Sequence, residues 1–287
     1  MVRVHHGPLS SNAELVYEDL IARGKQVETA KRWRATVQRF EACCGVKDNY
    51  SRSDVIKFLA QLRSEGIKQN TINSRLRSIK LLCVVQKWSD GWPELSMPKV
   101  KKSDISRPAL SVEDIGRIIT VARSMRDGKP VCNKKELAFL AAATTYGLRR
   151  EEIGTLEVFD GSVKVHTAKG GEVITQLIPD ILKEYLAEYR GSNDVRFLTR
   201  VFQSIIEKVG LELENGFGWH SIRRALASEL VMRDVSAMNI LRFMRWSDTS
   251  LKSEFGMLVI YAKREQDKID KSIFEVHPFL SAWSANV

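Results

Sequence analysis

The 287-residue chain lacks several features that would indicate particular classes of protein. It has only four cysteines and no Cys-x-x-Cys pair or Cys/His cluster with zinc spacing, so we expect reduced thiols in a cytosolic protein and neither a metal nor another cofactor. No apolar run approaches the roughly 18 residues that suggest a membrane span. No apolar stretch follows the first residues as in a secretory signal. We therefore expect a globular protein without a membrane partner.

Positive charge is concentrated in the first third of the chain. Residues 1–108 carry 20 Lys and Arg against 11 Asp and Glu, a net charge of +9, whereas residues 109–287 carry the other 25 and 24, a net charge of +1. A basic module beside a nearly neutral one predicts a polyanion-binding domain joined to a second domain. The alternative is a solvated, lysine-rich surface.

Hydrophobic periodicity predicts four short amphipathic helices within residues 1–92, which would form a small bundle. Their predicted ranges are 12–23, 29–44, from Ser51 or Ser53 to 64, and 71–88. Several outward faces are basic, as contact with a DNA backbone requires. The candidate DNA-binding residues are Arg32, Arg34, Arg75, Arg77, Lys80, Lys101 and Lys102. The last two lie in a proline-containing segment, 93–110, that we interpret as a linker.

Residues 111–287 predict a mainly α domain with a small β-hairpin, an α+β fold. Ser111 is a candidate N-cap, and helices are expected at 112–125, 134–146 and 150–156. Two β-rich runs, 161–167 and 172–178, flank the turn Lys169-Gly170-Gly171 and predict a hairpin. Further helices are expected at 179–190, 196–209, 219–233, 235–245 and 264–275, with a C-terminal tail from about 265.

Four local patterns in the second domain carry candidate chemistry. In order they are Gly147-Leu148-Arg149 with Glu152, then Lys169, then His220-x-x-Arg223, and finally Trp246 followed by Tyr261. Glu152 can pair with Arg149 three residues earlier on a helix. His220 and Arg223 share one face of a helix start, where they can bind one anion together. Each pattern alone is common by chance, and each residue has an ordinary structural interpretation.

Taken in that order, the motifs resemble the tyrosine recombinase family of phage-integrase-type enzymes. The resemblance covers residues 109 to about 265 by motif and 12–92 by architecture, because these enzymes often carry a small helical DNA-clamping domain in front. It implies that the chain cleaves and rejoins double-stranded DNA without metal or ATP. It also implies self-association, to a tetramer on two DNA sites, and a location on DNA in the cytoplasm, or in the nucleus of a eukaryotic host.

The resemblance also assigns roles to residues. Arg149 and Arg223 would grip the phosphate with planar, permanently charged forks, and His220 would donate to it or move a proton. Lys169 would protonate the departing 5′ oxygen, with Lys164 as a less favoured alternative. Trp246 stands where the family has His or Trp, and Tyr261 would be the nucleophile. Glu152 supports Arg149.

Two departures from the family pattern leave questions open. Fifteen residues separate Trp246 from Tyr261, so the tyrosine segment could swing or be donated to a neighbouring subunit. Arg245 replaces the glycine that is usual before the His/Trp position, so the local geometry there is uncertain. The apolar residues after Tyr261, which include Phe279 and Trp283, could dock on their own domain or on the next protomer.

Two other functions are consistent with parts of the sequence. A type IB topoisomerase-like enzyme shares the chemistry but relaxes supercoils without exchanging strands. A non-catalytic DNA-binding regulator could use the helix with Arg223 and Arg224 for recognition, but it leaves the ordered motif set unexplained.

Overall fold

A computed structural model describes residues 11–87, 109–167, 173–187, 189–214, 216–246 and 266–284. The chain divides into two compact units, Met1–Ser106 and Arg107–Val287. The linker predicted at 93–110 falls almost wholly outside the described residues, so its boundaries stay a prediction. Within the described residues, no helix is long and apolar enough to cross a membrane.

Residues 11–87 of the first unit form four helices packed around one apolar core. They are α1 (Ser11–Ala22), α2 (Val27–Cys44), α3 (Arg52–Ser64) and α4 (Gln69–Val85). Ser51 begins α3 with a reciprocal capping box, in which its side chain accepts from the Asp54 N–H and the Asp54 carboxylate accepts from the Ser51 N–H. Phe40 and Phe58 pack edge to face at the centre of the core, with ring centroids 5.4 Å apart.

The basic residues of the first unit differ in how they meet solvent. Arg32 and Arg77 are exposed, as predicted. Arg34 is half-buried, because its guanidinium lies over the Tyr17 ring and pairs with Glu14. Arg75 and Lys80 were predicted to face outward, but both are half-buried. The reason for Arg75 is that part of its guanidinium is covered: Nη1 is buried without a hydrogen-bond partner among the described residues.

The second unit is mainly α-helical with two small antiparallel sheets, which confirms the predicted fold class. Its helices are α5 (Val112–Arg123), α6 (Lys134–Tyr146), α7 (Arg150–Thr155), α8 (Lys183–Leu186), α9 (Val195–Val209), α10 (Trp219–Met232), α11 (Ala237–Phe243), α12 (Gln266–Glu275) and α13 (Leu280–Ser284). Its strands are β1 (Met125–Arg126), β2 (Lys129–Pro130), β3 (Glu157–Phe159), β4 (Ser162–His166) and β5 (Val173–Leu177).

The strands β3, β4 and β5 form one three-stranded sheet in that order. The predicted hairpin is its β4–β5 pair, with Ser162 opposite Leu177 and His166 opposite Val173. β3 and the small β1–β2 hairpin were not predicted. The segment expected as a helix over 179–190 is instead a 3₁₀ turn, Asp180–Leu182, followed by the single-turn helix α8.

The C-terminal helices pack on their own unit. The Trp283 indole donates to the Thr144 hydroxyl at 3.2 Å, and a His277 ring nitrogen lies 2.9 Å from the Thr145 carbonyl oxygen. Arg123 on α5 donates to the Ala282 carbonyl at 2.7 Å. Phe279 and Trp283 are almost fully buried there. Of the two docking sites that the sequence left open, the structure has the one on the same chain.

Candidate active site

A left-handed turn at Gly147 positions Arg149 between two helices. α6 ends at Tyr146, and Gly147 follows with a φ of 55°. A Cβ added to Gly147 would lie 2.8 Å from the Met244 Cε atom, which would have to shift, and the left-handed backbone itself favours glycine. Two residues later, Arg149 precedes α7, and its side chain is 24% exposed. The turn therefore brings this guanidinium to an accessible edge of the unit.

Glu152 is the centre of the site and is completely buried. It accepts the Arg149 backbone N–H at 2.8 Å and the Arg149 guanidinium at 2.5 Å. The guanidiniums of Arg223 and Arg245 lie 3.8 and 3.6 Å from its Oε2 atom. Burial alone raises the pKa of Glu152, but Arg245, the Arg149 N–H, Arg223 and Arg149 together hold it below the ordinary value. The carboxylate is therefore ionised, and the three arginines around it leave positive charge in excess, even with Asp270 near Arg245 counted.

Arg223 is buried and bound to the ends of two helices. One terminal nitrogen donates to the Gly147 carbonyl after α6, and the other donates to the Met244 carbonyl after α11. A guanidinium has five N–H donors, so these two bonds leave the others for an anion. Burial, followed by the charges of Arg245 and Arg149, lowers the pKa of Arg223 to about 9. The group stays protonated at neutral pH.

Trp246 covers the outer side of Arg223. The guanidinium carbon of Arg223 lies 5.8 Å from the centroid of the indole ring, within cation–π range. Trp246 is 37% exposed. Its position lets the ring pack on the arginine while the indole edge is accessible to a bound group.

Arg245 keeps the backbone conformation of a glycine but has a fully buried side chain. Its φ is 53°, in the left-handed region that costs an L-residue roughly 1 kcal/mol. Its guanidinium donates to the Tyr146 carbonyl at 2.7 Å, to the Phe243 carbonyl at 2.8 Å and to the Gln176 side-chain oxygen. Burial lowers the pKa of Arg245 to about 10, despite the opposing charge of Glu152, so it also stays protonated.

Gln176 on β5 connects Arg245 to α12. Its amide oxygen accepts from Arg245, and its amide nitrogen donates to the Phe243 carbonyl and to Asp270 on α12, at 3.3 and 3.4 Å. Asp270 also accepts the Leu177 N–H at 2.8 Å. Burial raises the pKa of Asp270 to about 6. β5 begins four positions after Lys169, and α12 begins five positions after Tyr261.

His220 lies in the first turn of α10, one turn before Arg223 on the same helix face. It is exposed. Partial desolvation lowers its pKa, the charges of Arg223, Arg224 and Arg150 lower it further, and Glu151 opposes them. The imidazole is therefore neutral at neutral pH, where it can donate one hydrogen bond and accept another.

The five tyrosines in the described part of the chain are engaged elsewhere. Four hydroxyl groups have hydrogen-bond partners: Tyr50 with Glu41, Tyr146 with the Leu177 carbonyl, Tyr185 with Arg123 and Tyr189 with the Ile153 carbonyl. The fifth ring, that of Tyr17, lies under Arg34. Burial raises the pKa of Tyr50 to about 12 and raises those of Tyr146 and Tyr189 further. Loss of the phenolic proton is therefore disfavoured at three of the five.

The sequence-predicted residues fall into three groups. Arg149, Glu152, Arg223 and Trp246 come together, with His220 on the helix of Arg223. Lys164 is half-buried and lies beside Glu157 at 3.6 Å, on a strand of the sheet. Lys169, Tyr261, Lys101 and Lys102 lie outside the described residues.

No group of three or more His, Cys, Asp and Glu side chains that could hold a metal occurs in the part of the chain that the structure describes.

Sequence reasoning missed two features of the site. These are the buried contacts of Arg245 and the presence of Gln176. The replacement of glycine by Arg245 was visible, but its contacts were not, because Gln176 and Tyr146 are 69 and 99 positions away. The signal for Gln176 was a polar residue at an inward position of a strand whose other inward residues are apolar. Such a residue needs a buried partner.

Comparison with known proteins was made for both sequence and fold. No family model matches the chain. Among curated proteins, tyrosine recombinase XerA of Pyrococcus horikoshii is 23% identical over 234 residues, which cover 74% of this chain and 76% of XerA. Among solved structures, lambda integrase residues 75–356 bound to DNA has a TM-score of 0.62 at 15% identity, covering 89% of this chain and 97% of that chain.

Two further solved structures have a similar fold. XerH bound to a palindromic difH substrate, a post-cleavage complex, has a TM-score of 0.59 at 12% identity, covering 92% of this chain and 85% of that chain. A lambda integrase tetramer bound to a Holliday junction has a TM-score of 0.59 at 18% identity, covering 88% of this chain and 85% of that chain. The chain has the tyrosine recombinase fold. This fold agrees with the resemblance drawn from the motifs, and the curated relative is itself named a tyrosine recombinase.

Proposed function

We propose that the protein is a site-specific DNA recombinase that cleaves and rejoins strands through a 3′-phosphotyrosyl intermediate. The observation that carries the proposal is the arginine cluster around Glu152, with Trp246 and the His220 helix beside it, in a chain with this fold. Phosphoryl transfer without a metal needs fixed cationic donors where phosphate charge shifts in the transition state. The guanidiniums that leave positive charge in excess at Glu152 are such donors.

In the proposed reaction, Tyr261 exchanges one phosphodiester for another. Its phenolic oxygen forms a bond to phosphorus as the bond from phosphorus to the 5′ oxygen breaks. The phenol loses a proton, and the departing 5′ oxygen gains one. A 5′-hydroxyl from a second strand reverses these steps and releases the tyrosine. Because the number of phosphodiester bonds does not change, no ATP is consumed.

The described residues support a division of roles. Arg149 and Arg223 bind the non-bridging oxygens, since Glu152 holds the first guanidinium and the Gly147 and Met244 carbonyls hold the second. The neutral His220 moves or shares a proton on the side of the nucleophile. Trp246 donates its indole N–H to the phosphate and packs on Arg223. The role proposed for Lys169, protonation of the 5′ oxygen, rests on the motif resemblance, because Lys169 lies outside the described residues.

Tyr261 is supported as the nucleophile by the state of the other tyrosines. Each of the five described ones has its hydroxyl hydrogen-bonded or its ring covered, as given above. The sixth tyrosine of the chain is Tyr261.

We also propose that Tyr261 attacks the phosphate bound by its own chain. Both flanks of residues 247–265 pack in the same unit: Phe243 on α11 contacts Phe274 on α12, with ring centroids 6.0 Å apart. Asp270 fixes α12 to β5 one turn after its start. A mixture of Tyr261→Phe and Arg149→Ala proteins would then regain no cleavage, whereas regained cleavage would mean attack in trans.

The proposed partner is double-stranded DNA, bound by a tetramer on two sites. Support for DNA comes from the lambda integrase and XerH structures, which are complexes with DNA or a substrate, and support for the tetramer comes from the lambda integrase complex with a Holliday junction. The exposed Arg32 and Arg77 of the first unit are proposed to contact the DNA backbone.

The deciding experiment is covalent trapping on a nicked DNA substrate. Cleavage releases a short fragment that carries the free 5′-hydroxyl, and this fragment diffuses away. The wild type should form a denaturant-resistant protein–DNA adduct, and Tyr261→Phe should form none while binding the DNA equally well. Tyr185→Phe is a matched control, because this hydroxyl lies beside Arg123 away from the site, and it should form the adduct normally.

The same assay separates the alternative functions. Binding without any adduct on several DNA sequences would favour a non-catalytic regulator. Adduct formation with relaxation of supercoiled DNA, but without joined products on a two-site substrate, would favour a topoisomerase-like enzyme. Joined products on a two-site substrate are expected for a recombinase.

A further inference from the structure

Two buried arginines hold the ends of the same two helices. Arg223 donates to the carbonyls of Gly147 and Met244, the residues that follow α6 and α11. Arg245 donates to the carbonyls of the preceding residues, Tyr146 and Phe243. The last carbonyls of a helix have no partner inside the helix and carry its negative end. At each of the two helix ends, Arg245 therefore binds the carbonyl of the last helical residue and Arg223 binds the carbonyl of the next residue.

Arg245 cannot itself contact DNA, because none of its side chain is exposed. The carboxylate of Glu152 lies 3.6 Å from it, and the same carboxylate binds the accessible Arg149. On its other side, Arg245 is bound by Gln176, which also reaches Asp270. Arg245 can therefore act on a bound phosphate only indirectly, through these groups, through the helix-end carbonyls that it binds and through its charge beside Arg223.

We propose that Arg245 is a positioning residue for strand cleavage: bound to both helix ends and to Gln176, it holds Glu152 and thereby fixes the Arg149–Arg223 pair that faces the phosphate. The inference rests on the proposed function. It also explains why an arginine occupies a left-handed position that favours glycine. The guanidinium supplies a third fixed positive charge, and its hydrogen bonds join the two helix ends to β5.

The same contacts reach two further elements of the unit. Gln176 lies on β5, which begins four positions after Lys169, and Asp270 lies on α12, which begins five positions after Tyr261. The buried contacts Arg245–Gln176–Asp270 therefore connect the arginine pair to β5 and α12. A change at Arg245 should alter the rate of the chemical step more than the affinity for DNA.

The test uses Arg245→Gly, Arg245→Met and Arg245→Lys in the full-length protein. Arg245→Gly suits the left-handed backbone, so it keeps the test valid if the methionine variant folds poorly. The matched control is Arg123→Met, which removes a half-buried guanidinium on α5 that binds a backbone carbonyl of α13. Each variant is assayed for DNA affinity, for the amplitude of adduct formation and for the single-turnover rate constant on saturating nicked DNA.

We expect the rate constant to fall roughly 10- to 100-fold in the glycine and methionine variants, as for other residues that orient a reacting group through a neighbour. DNA affinity should stay within about threefold of wild type, since Arg245 makes no contact with solvent. The lysine variant should fall between, because it keeps the charge but not the fork. Arg123→Met should keep the wild-type rate constant, whatever its stability.

Coupling provides a second measurement. If Gln176 acts by holding Arg245, then Gln176→Leu should slow cleavage in the wild type but add little to Arg245→Met. Independent effects of the two substitutions would contradict the proposed network.

The outcomes separate this inference from the function on which it rests. A wild type that forms no adduct contradicts the proposed function. A wild type that forms the adduct, together with an Arg245→Gly variant whose rate constant equals it, overturns only the role of Arg245. A loss of amplitude at an unchanged rate constant would also overturn it, because that pattern reflects misfolded molecules and not slower chemistry.

Discussion

The arginines of the two units are used in different ways. In the first unit, the described ion pairs of arginines lie near the surface: Arg34 with Glu14 and Arg39 with Glu65 have side chains about one quarter to one third exposed, and Arg23 with Asp19 is also partly exposed. In the second unit, three arginines share the fully buried Glu152. The first unit holds most of the net charge, yet the strongest local excess lies in the nearly neutral one. Net charge thus indicates where a polyanion is attracted, whereas unbalanced buried charge indicates where a phosphate is held.

The difference has an electrostatic cause. Charges near water are screened, and an exposed pair contributes about 0–1 kcal/mol. Buried charges interact strongly, but each loses its hydration and needs a partner. One carboxylate for three arginines meets that need only partly, and backbone carbonyls supply the rest. Such a cluster is ready for an anion, because the anion completes its neutralisation.

The largest expected effect comes from removing the shared carboxylate. Glu152→Gln would leave two buried guanidiniums without their counter-charge, and breaking a buried pair in this way costs about 3–5 kcal/mol. Denaturant unfolding of the variant should show a loss of that size, together with loss of cleavage. Glu65→Gln is the matched control in the first unit, where we expect little change in either measurement.

A Glu152→Gln protein as stable as the wild type would break the comparison between the units. It would mean that the carbonyls of the helix ends alone hold the arginines, and that the carboxylate has no special part.

The next largest effect concerns the guanidinium of Arg223. Arg223→Lys keeps a positive charge but cannot bind two helix ends and a phosphate at once. Loss of one fixed donor to a transition-state oxyanion costs roughly 10²- to 10³-fold in rate. Single-turnover cleavage should fall by that factor while DNA affinity changes little. Arg233→Lys, at the far end of the same helix, should cleave normally. A large loss of affinity with an unchanged rate would make Arg223 a ground-state contact.

Contacts of the site between residues close in sequence could be predicted, whereas contacts between residues far apart in sequence could not. The Arg149–Glu152 pair and the Gly147 turn follow local rules, so the pattern Gly147 to Glu152 predicted them. Arg245 and Gln176 meet through folding, and two of the three hydrogen bonds of Arg245 go to backbone carbonyls, which any residue type would supply. Apart from α8 and α13, the described helices had clear periodicity, which is why their ranges were predicted to within a few residues.

The missed elements of the fold have physical reasons too. The β1–β2 hairpin has strands of two residues, too short for a periodic pattern, although Asp127-Gly128 between them is a hairpin-turn signal with positive φ at both positions. The segment 179–190 has helical spacing, but it forms only a 3₁₀ turn and one α-helical turn. The side of the tail docking could not be predicted, because an apolar surface does not specify its partner.

The third effect is a dependence of stability on pH that the second unit owes to His277. Burial lowers its pKa to about 4, although the hydrogen bond to Thr145 opposes this. The folded-state pKa lies below the ordinary 6.5, so the unfolded chain binds the proton more readily. The stabilisation is complete above pH 6.5 and is lost as the pH falls towards 4, by about 2 kcal/mol at pH 5.

A comparison of two proteins isolates that effect. Asp270 acts in the opposite direction, since its raised pKa favours the folded state as the pH falls below about 6. Both the wild type and His277→Gln contain Asp270, so the difference between their unfolding free energies at pH 7.5 and pH 5 removes its contribution. Equal pH dependence in the two proteins would show that His277 is not held neutral.

The smallest expected effect tests the diffuse charge of the first unit. Each backbone phosphate contact releases about 0.9 of a counterion, so the logarithm of DNA affinity should fall linearly with the logarithm of salt concentration. Arg32→Gln with Arg77→Gln should reduce the slope by up to about 1.8 and leave the single-turnover cleavage rate on saturating DNA unchanged. Arg23→Gln, a third exposed arginine that pairs with Asp19, is the matched control. If the double variant kept the wild-type slope, these two arginines would not meet the DNA, and the excess charge of the first unit would act only at long range. If it slowed cleavage at saturation, the separation between attraction in one unit and chemistry in the other would fail.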